Sequence, residues 1–515
     1  MNINKVLSEF KEGIINSKKY WIIYMGLILI STLTIFDINN YSNPKIEVVI
    51  LLLISLFGIF SISYYFSNSN EKELYKIAFI VILLFGIVCS VLMPIACAPD
   101  EYEHFVRSEI TSTGVLFPHY QNGSYSTIYG VFDLIGTNTQ YRDENYNLIG
   151  VDNATVFTTD ADTLKINYTI INYHSAFAQN PFYGYLAQGL GIDIAKLLDL
   201  NVIWMLWLGR IFNLILYACL VAFAVKKTPI LKIPLIVIAC MPLAIYQASS
   251  LSIDSFINGV GILLIAYFFN MYKSPKGSLN IRDIAIFSII CLLLGLTKIT
   301  FFLFVFLLLF IPKDNFKGNA YYYSFMFVGI LGLIGYLWTS NYAGVAFHQS
   351  YRHEFWVNEG INSTNQLNYL LSHKKDAVIE IFRIPQYLET DLLFNSRDLY
   401  FNSFNSLFLM FLGAVTLMYP TPKFDLKVKF GSLIVVMGIY IVTYLTFLLT
   451  WTPVSHLNPI VGVQPRYFLP LFALLPVIVG INHNENDSTE LDSYVITLTI
   501  TFLAIMIISM LGFYY

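Results

Sequence analysis

Apolar runs close to 20 residues long recur from Tyr20 to Tyr515, and this recurrence limits the possible folds more than any other feature of the chain. A run of that length crosses the hydrocarbon of a bilayer as an α-helix. Lipid offers no water to backbone N–H and C=O groups, so each crossing segment has to satisfy its own, which a helix does. Composition agrees. Of 515 residues, 56% are hydrophobic and 12% charged, about half the charged share of a soluble domain. That excludes a soluble enzyme, a disordered scaffold and a secreted disulfide-framed module. With a net charge of -3 and an isoelectric point near 6.2 there is no basic field to attract nucleic acid. The five cysteines lie in or beside apolar runs without C-x-x-C spacing, so neither a zinc site nor a disulfide frame is indicated.

Thirteen spans are predicted, at about 20–36, 46–66, 75–97, 203–225, 231–250, 255–272, 283–297, 299–312, 321–341, 402–419, 430–451, 466–481 and 493–513. The seventh and eighth are short and meet at Lys298, so they form a hairpin or one bent element. Residues 1–19 lack a small-residue cleavage site and read as a retained segment rather than a signal peptide. Lysine and arginine then orient the chain. With the N-terminus inside, 17 of the 30 basic residues fall in short inner connections, among them Lys18, Lys19, Lys226, Lys227, Lys273, Arg282 and Lys427. Five regions follow: 1–97 with the first three spans, an outer loop 98–202, spans four to nine in 203–341, an outer loop 342–401, and spans ten to thirteen in 402–515. In the first loop, alternation at Thr163–Ile171 predicts a short strand. Apolar residues at helical spacing over Pro181–Leu200 predict a helix along the membrane surface.

The densest set of reactive side chains opens the first outer loop: Pro99-Asp100-Glu101-Tyr102-Glu103-His104-Phe105-Val106-Arg107. As a helix start, this would put Asp100, His104 and Arg107 on one face and Glu101 about a quarter turn away. A carboxylate at a lipid–water boundary suits a general base, because partial desolvation favours its protonated form. His104 and Arg107 can engage phosphate oxygens. The bland alternative is that Asp100 and Glu103 merely cap a helix. The rest of the outer rim supplies Gln247, Asp254, Lys298, Gln464, Arg466 and Tyr467, with Arg210 one or two turns inside the fourth span. An ionisable group at membrane depth is a functional hypothesis by default. The bland readings here are helix capping for Asp254 and snorkelling for Lys298. If the rim groups form one site, Asp100 and Arg466 should flank one cavity within about 15 Å, a gap sized for a sugar phosphate.

These motifs carry a resemblance. P-D-E-Y-E-H-F-V-R at 99–107 resembles the P-D-E-x-x-H-x-x-R signature of a group of bacterial polytopic membrane proteins. S-L-S-I-D at 250–254, T-K at 297–298 and G-V-Q-P-R-Y-F-L-P at 462–470 add to it. The likeness covers roughly residues 90–480 and departs at Pro465, where a glycine would stand before the Arg-Tyr pair. That group in turn resembles the GT-C glycosyltransferases, multi-span enzymes that use polyprenyl-phosphate sugars and need an acidic residue in the first large outer loop. The resemblance implies an all-α polytopic GT-C-like fold of about 13 transmembrane helices, with the acidic role at Asp100 or Glu101 and phosphate-side basic groups at Arg466 and Lys298.

The expectation is therefore a transferase at the outer face of a bacterial cytoplasmic membrane, N-terminus inside. It would move sugar from a polyprenyl-phosphate donor to a cell-envelope glycan or lipid acceptor, with inversion at the sugar carbon. Asp100 would be the base. Glu101 would orient the acceptor or, with Asp100, help hold a divalent cation such as Mg or Mn. His104, Arg107, Arg210, Gln247, Asp254, Lys298, Gln464, Arg466 and Tyr467 would bind substrate. Three alternatives stay open: a polysaccharide polymerase or ligase, for which Arg352, Arg383 and Arg397 in the second loop speak; a lipid-linked saccharide transporter or flippase; and a non-enzymatic assembly protein.

Overall fold

The computed structural model describes residues 11–36, 44–67, 73–118, 125–136, 140–142, 148–151, 157, 160–173, 175, 177–178, 180–340, 357–387, 402–483 and 489–515. Arg352 and Arg397 lie outside the described residues, and so does part of each outer loop. The chain is an all-α membrane protein. Eight described helices are long and apolar enough to cross a bilayer: Lys18–Ile35, Lys45–Ser67, Leu74–Leu92, Val202–Lys227, Asp254–Tyr272, Ala320–Trp338, Leu426–Thr450 and Glu490–Tyr514.

The other expected crossings take different local forms, and proline accounts for two of them. Residues 231–250 make two short helices, Lys232–Ala239 and Pro242–Ala248, parted at Cys240–Met241. Pro242 donates no backbone hydrogen bond and pushes the preceding residue out of helical geometry. Residues 465–479 run as a 3₁₀ helix, Pro465–Leu474, and then one α-turn, Leu475–Val479. Pro470 lies inside the first and Pro476 at the start of the second, so the ordinary i→i−4 ladder is interrupted twice. The helix Ile281–Thr297 gives way at Lys298 to a second 3₁₀ helix, Ile299–Phe310. A bent pair meeting at Lys298 is thus what the chain forms. Asn402–Met418 completes the set.

The first outer loop packs on the bundle through small residues. Pro181–Leu200 becomes a short 3₁₀ turn, Phe182–Tyr185, and the helix Leu186–Leu197. That helix buries Gln188, Gly189, Gly191, Ile192 and Ala195 and leaves Leu186, Leu190, Leu197 and Leu198 exposed. Its apolar side therefore faces outward, as a surface helix in lipid requires. Its glycine side meets two helices, Glu101–Ser112 and Val202–Lys227. A Cβ on Gly191 would fall on the backbone carbonyl of Leu208. Gly191→Ala should therefore lose about 1–3 kcal/mol of stability in thermal unfolding, whereas an unchanged melting curve would contradict this close approach.

Strand structure is slight. Tyr125–Ile128 pairs antiparallel with Ile170–Tyr173, and Gln140–Arg142 pairs with Leu148–Val151. The strand expected over Thr163–Ile171 starts only at Ile170. The stretch before it is drawn off toward the next helix: Lys165 bridges Asn201, and Leu164 C=O accepts the Val202 N–H.

Candidate functional site

Four separate stretches of chain meet around Arg466. The guanidinium sits at the start of the Pro465–Leu474 segment with its side chain 2% exposed. Its Nη2 donates to Asp100 Oδ2 at 3.0 Å, its Nη1 to the Pro99 carbonyl at 3.4 Å, and its Nε lies 3.1 Å from Asp254 Oδ2. Beside it, Lys298 Nζ lies over the Tyr467 ring, 2.9 Å from the centroid, while Arg466 Cζ stands 5.6 Å from the same centroid. The π-system of Tyr467 attracts both cations. The quartet Asp100, Asp254, Lys298 and Arg466 is formally neutral.

Asp100 reaches Arg466 by an unusual backbone route. It precedes the helix Glu101–Ser112 in left-handed geometry, φ +57°, and its side chain makes no capping hydrogen bond. For a residue other than glycine this conformation costs about 1–2 kcal/mol, least for Asp and Asn. The helix-cap reading of Asp100 is therefore not what the structure contains. Asp254 likewise does not cap: it is the first residue of its helix and turns to Arg466. Lys298, half-buried, lies on Tyr467 and does not snorkel. Asp100 and Arg466 are in direct contact, so the sugar-sized gap expected between them is closed: opposite charges in a half-buried setting draw together. The Asp100 side chain remains 30% exposed.

The remaining residues of the nonapeptide do other work. Both Glu101 oxygens are taken by Arg210, Nε–Oε1 at 2.8 Å and Nη2–Oε2 at 2.6 Å, and Oε1 also accepts the Leu251 N–H at 3.1 Å. Arg210 spends its other donors on the carbonyls of Ser90, Met93 and Pro94. Both side chains are wholly buried. This rivet fastens the loop before Asp100 to the helix Val202–Lys227 and to the turn before Asp254. His104 Nδ1 meets the Tyr185 hydroxyl at 2.8 Å, with its ring stacked on Phe177. Arg107 is buried and donates to Thr111 Oγ1 and the carbonyls of Asn180 and Leu116. The one-face arrangement of Asp100, His104 and Arg107 is thus corrected. Asp100 stands outside the helix and turns to Arg466, while His104 and Arg107 both meet Tyr185 and brace the loop. Nor does the Asp100–Glu101 pair fit a divalent cation, because Glu101 already faces a guanidinium with both oxygens. Among the described residues no group of three or more His, Cys, Asp or Glu converges.

Several contributors were not among the expected site residues. Asn213, a turn beyond Arg210, donates to the carbonyls of Ser250 and Ser252 and so fixes the turn that delivers Asp254. Ser252 Oγ accepts the Asp254 N–H at 3.1 Å. Asn258 is the more telling. On its helix, Asp254 meets Arg466, and Gly261 lies so close to Pro470 that a Cβ there would clash with it. Asn258 falls between them at helical spacing, so it faces the same segment, one turn below Asp254. It is 1% exposed, yet neither amide atom has a hydrogen-bond partner among the described residues. Gln247 is in the same condition, and Gln464 Oε1 is buried and unpartnered. Unsatisfied buried amides are costly. Asn258→Leu should therefore keep or raise thermal stability, by about 1–3 kcal/mol. A clear loss on thermal unfolding would mean that the amide is bonded after all.

Fold and site together define a multi-pass helical membrane protein with a charged cluster at the meeting point of four chain segments. The chain belongs to the DUF2142 family of predicted membrane proteins, which it matches over residues 83–475. Asp100, Asp254, Lys298 and Arg466 all fall inside that stretch. No curated protein and no solved structure matches the chain.

Proposed function

We propose that this protein is a membrane glycosyltransferase that moves a sugar from a polyprenyl-phosphate donor to a cell-envelope glycan or lipid acceptor. The observation that carries the reading is the sharing of Arg466 between Asp100 and Asp254, with Lys298 on the adjacent Tyr467 ring. The donor phosphate takes its place on Arg466 and Lys298 in exchange for carboxylate, which releases Asp100 from its ion pair. Asp100 then accepts the proton of the acceptor hydroxyl as that oxygen attacks the anomeric carbon. The bond from anomeric carbon to phosphate oxygen breaks, its electron pair goes to the phosphate, and Arg466 and Lys298 stabilise the charge. One displacement inverts the sugar carbon. The Asn258 and Gln247 amides donate to sugar or phosphate oxygens, and Gln464 Oε1 accepts from a sugar hydroxyl. Glu101, Arg210, His104 and Arg107 act as positioning residues that hold the Asp100 loop.

The reading includes a GT-C-like bundle of about 13 crossings in a bacterial cytoplasmic membrane, N-terminus inside and site outside. Apolar segments at the other expected crossings support the count: Ile299–Phe310, Asn402–Met418 and Pro465–Val479 accompany the eight long helices. The distribution of lysine and arginine supports the orientation. The transporter alternative draws less support, because the fully buried charge pair Glu101–Arg210 is saturated and closed to solvent. The polymerase alternative draws less support too, because Arg383 is already paired with Glu380, a buried carboxylate of the second loop. Transfer from a panel of polyprenyl-phosphate sugars by the purified protein, beside Asp100→Asn, tests the proposal. Undiminished transfer by the variant would remove Asp100 from the chemistry.

A further inference from the structure

A cavity about 400 Å³ in volume lies at the far end of the same bundle. It opens beside Tyr267, thirteen residues along the helix from Asp254, or about 20 Å at 1.5 Å per residue. Three helices wall it, each offering an i,i+4 pair. Phe223 and Lys227 end the helix Val202–Lys227, Leu263 and Tyr267 come from Asp254–Tyr272, and Ile286 and Ile290 come from Ile281–Thr297. The volume suits a small ligand or one chain of a larger one.

The lining is sorted along the helix axes. Lys227 and Arg282 stand at the helix ends, one on each side, with Lys227 Nζ 5.1 Å from the Tyr267 ring centroid. Among the described residues neither cation is in a salt bridge. The one carboxylate of the lining, Asp283, is already engaged. Its Oδ2 accepts the Asn280 N–H at 3.0 Å in a capping box, and its Oδ1 accepts the Tyr267 hydroxyl at 3.3 Å. The polar end therefore carries a net positive charge. One turn inward the walls are wholly apolar, and Phe223, 56% exposed, sits on the lipid-facing rim. Polar cations at the membrane boundary, continuous with an apolar strip open to the bilayer, have the shape and charge order of a phospholipid.

We propose that this groove holds one anionic phospholipid, its phosphate between Lys227 and Arg282 and an acyl chain along Leu263, Ile286 and Ile290. In the orientation read from the basic residues it lies in the cytoplasmic leaflet, where anionic headgroups meet basic pockets between helices. A free phosphate would use the two cations but gain nothing from the strip.

The test uses the full chain in nanodiscs of equal phosphatidylglycerol and phosphatidylcholine, with retained phospholipid counted by native mass spectrometry. The wild type should retain phosphatidylglycerol over phosphatidylcholine by roughly tenfold. Lys227→Gln with Arg282→Gln should bring the ratio to parity, whereas Lys273→Gln, which removes an exposed cation outside the groove, should leave it unchanged. Ile286→Trp fills the strip without touching the charges and should weaken retention of phosphatidylglycerol severalfold. If the double variant fails to fold, each single variant should lose a clear part of the preference. Parity in the wild type, or a preference that survives loss of both cations, overturns the proposal. So does displacement by millimolar inorganic phosphate together with indifference to Ile286→Trp, which would mark a soluble-anion site.

Discussion

Glu101→Gln should lower the stability of the folded protein by about 3–5 kcal/mol, because it leaves the guanidinium of Arg210 buried with no counter-charge. Both partners are inaccessible to water, so solvent does not screen the loss. Replacing the pair together, Glu101→Leu with Arg210→Met, should recover only part of the stability: the desolvation cost of two charges disappears with them, while the Ser90, Met93 and Pro94 carbonyls and the Leu251 N–H lose their partner. Thermal unfolding in detergent measures both effects. A melting temperature for Glu101→Gln equal to the wild type would contradict the rivet. The double variant also separates two roles for Glu101. If the residue only positions the Asp100 loop, transfer should recover along with stability. If its carboxylate touches a reactant, a stable double variant will stay inactive.

How much of this was legible in the sequence varies with the physics involved. The apolar runs and the lysine distribution disclose a polytopic bundle, because both follow from bilayer thickness and charge, which act locally. The pairing of Asp100 with Arg466 across 366 positions was legible only as a shared side of the membrane, from the parity of crossings. The contact itself depends on the left-handed backbone at Asp100, and no spacing rule announces a conformation that the tertiary fold imposes. The nonapeptide misleads for the same reason. Read as a regular helix from Pro99 it gathers Asp100, His104 and Arg107, but the helix begins at Glu101 and Asp100 turns away. Arg210 stood out as a charge within a span, whereas its bond to Glu101 needed the packing of the first loop on the glycine face of Leu186–Leu197. Asn258 had one signal, an amide four residues after Asp254 at the outer rim, and that spacing is too common to assign it a role. The breaks at Pro242 and Pro470 were readable in principle, since proline acts on its own helix. The change to 3₁₀ geometry after Lys298 has no such marker.

Asp100→Asn should reduce transfer by about 10²–10⁴-fold, the usual contribution of a positioned general base. The substitution is close to isosteric, and asparagine tolerates the left-handed backbone as well as aspartate does, so the loop should keep its path. Arg466 keeps Asp254 as its partner, which limits the loss of stability to about the 0–1 kcal/mol of a partly exposed ion pair. An amide cannot accept the hydroxyl proton, so the rate falls while the fold stands. Arg466→Gln should act differently. It leaves Asp100 and Asp254 facing each other without their shared cation, which weakens donor binding through both charge and repulsion.

The most direct test is the kinetic split on the purified full-length protein, with the polyprenyl-phosphate sugar that the wild type uses as donor. Asp100→Asn should lower kcat by at least about 10²-fold with the donor KM unchanged or lower, because the carboxylate that competes with phosphate for Arg466 has been neutralised. Wild-type kcat in that variant, at a melting temperature equal to the wild type, would contradict the account.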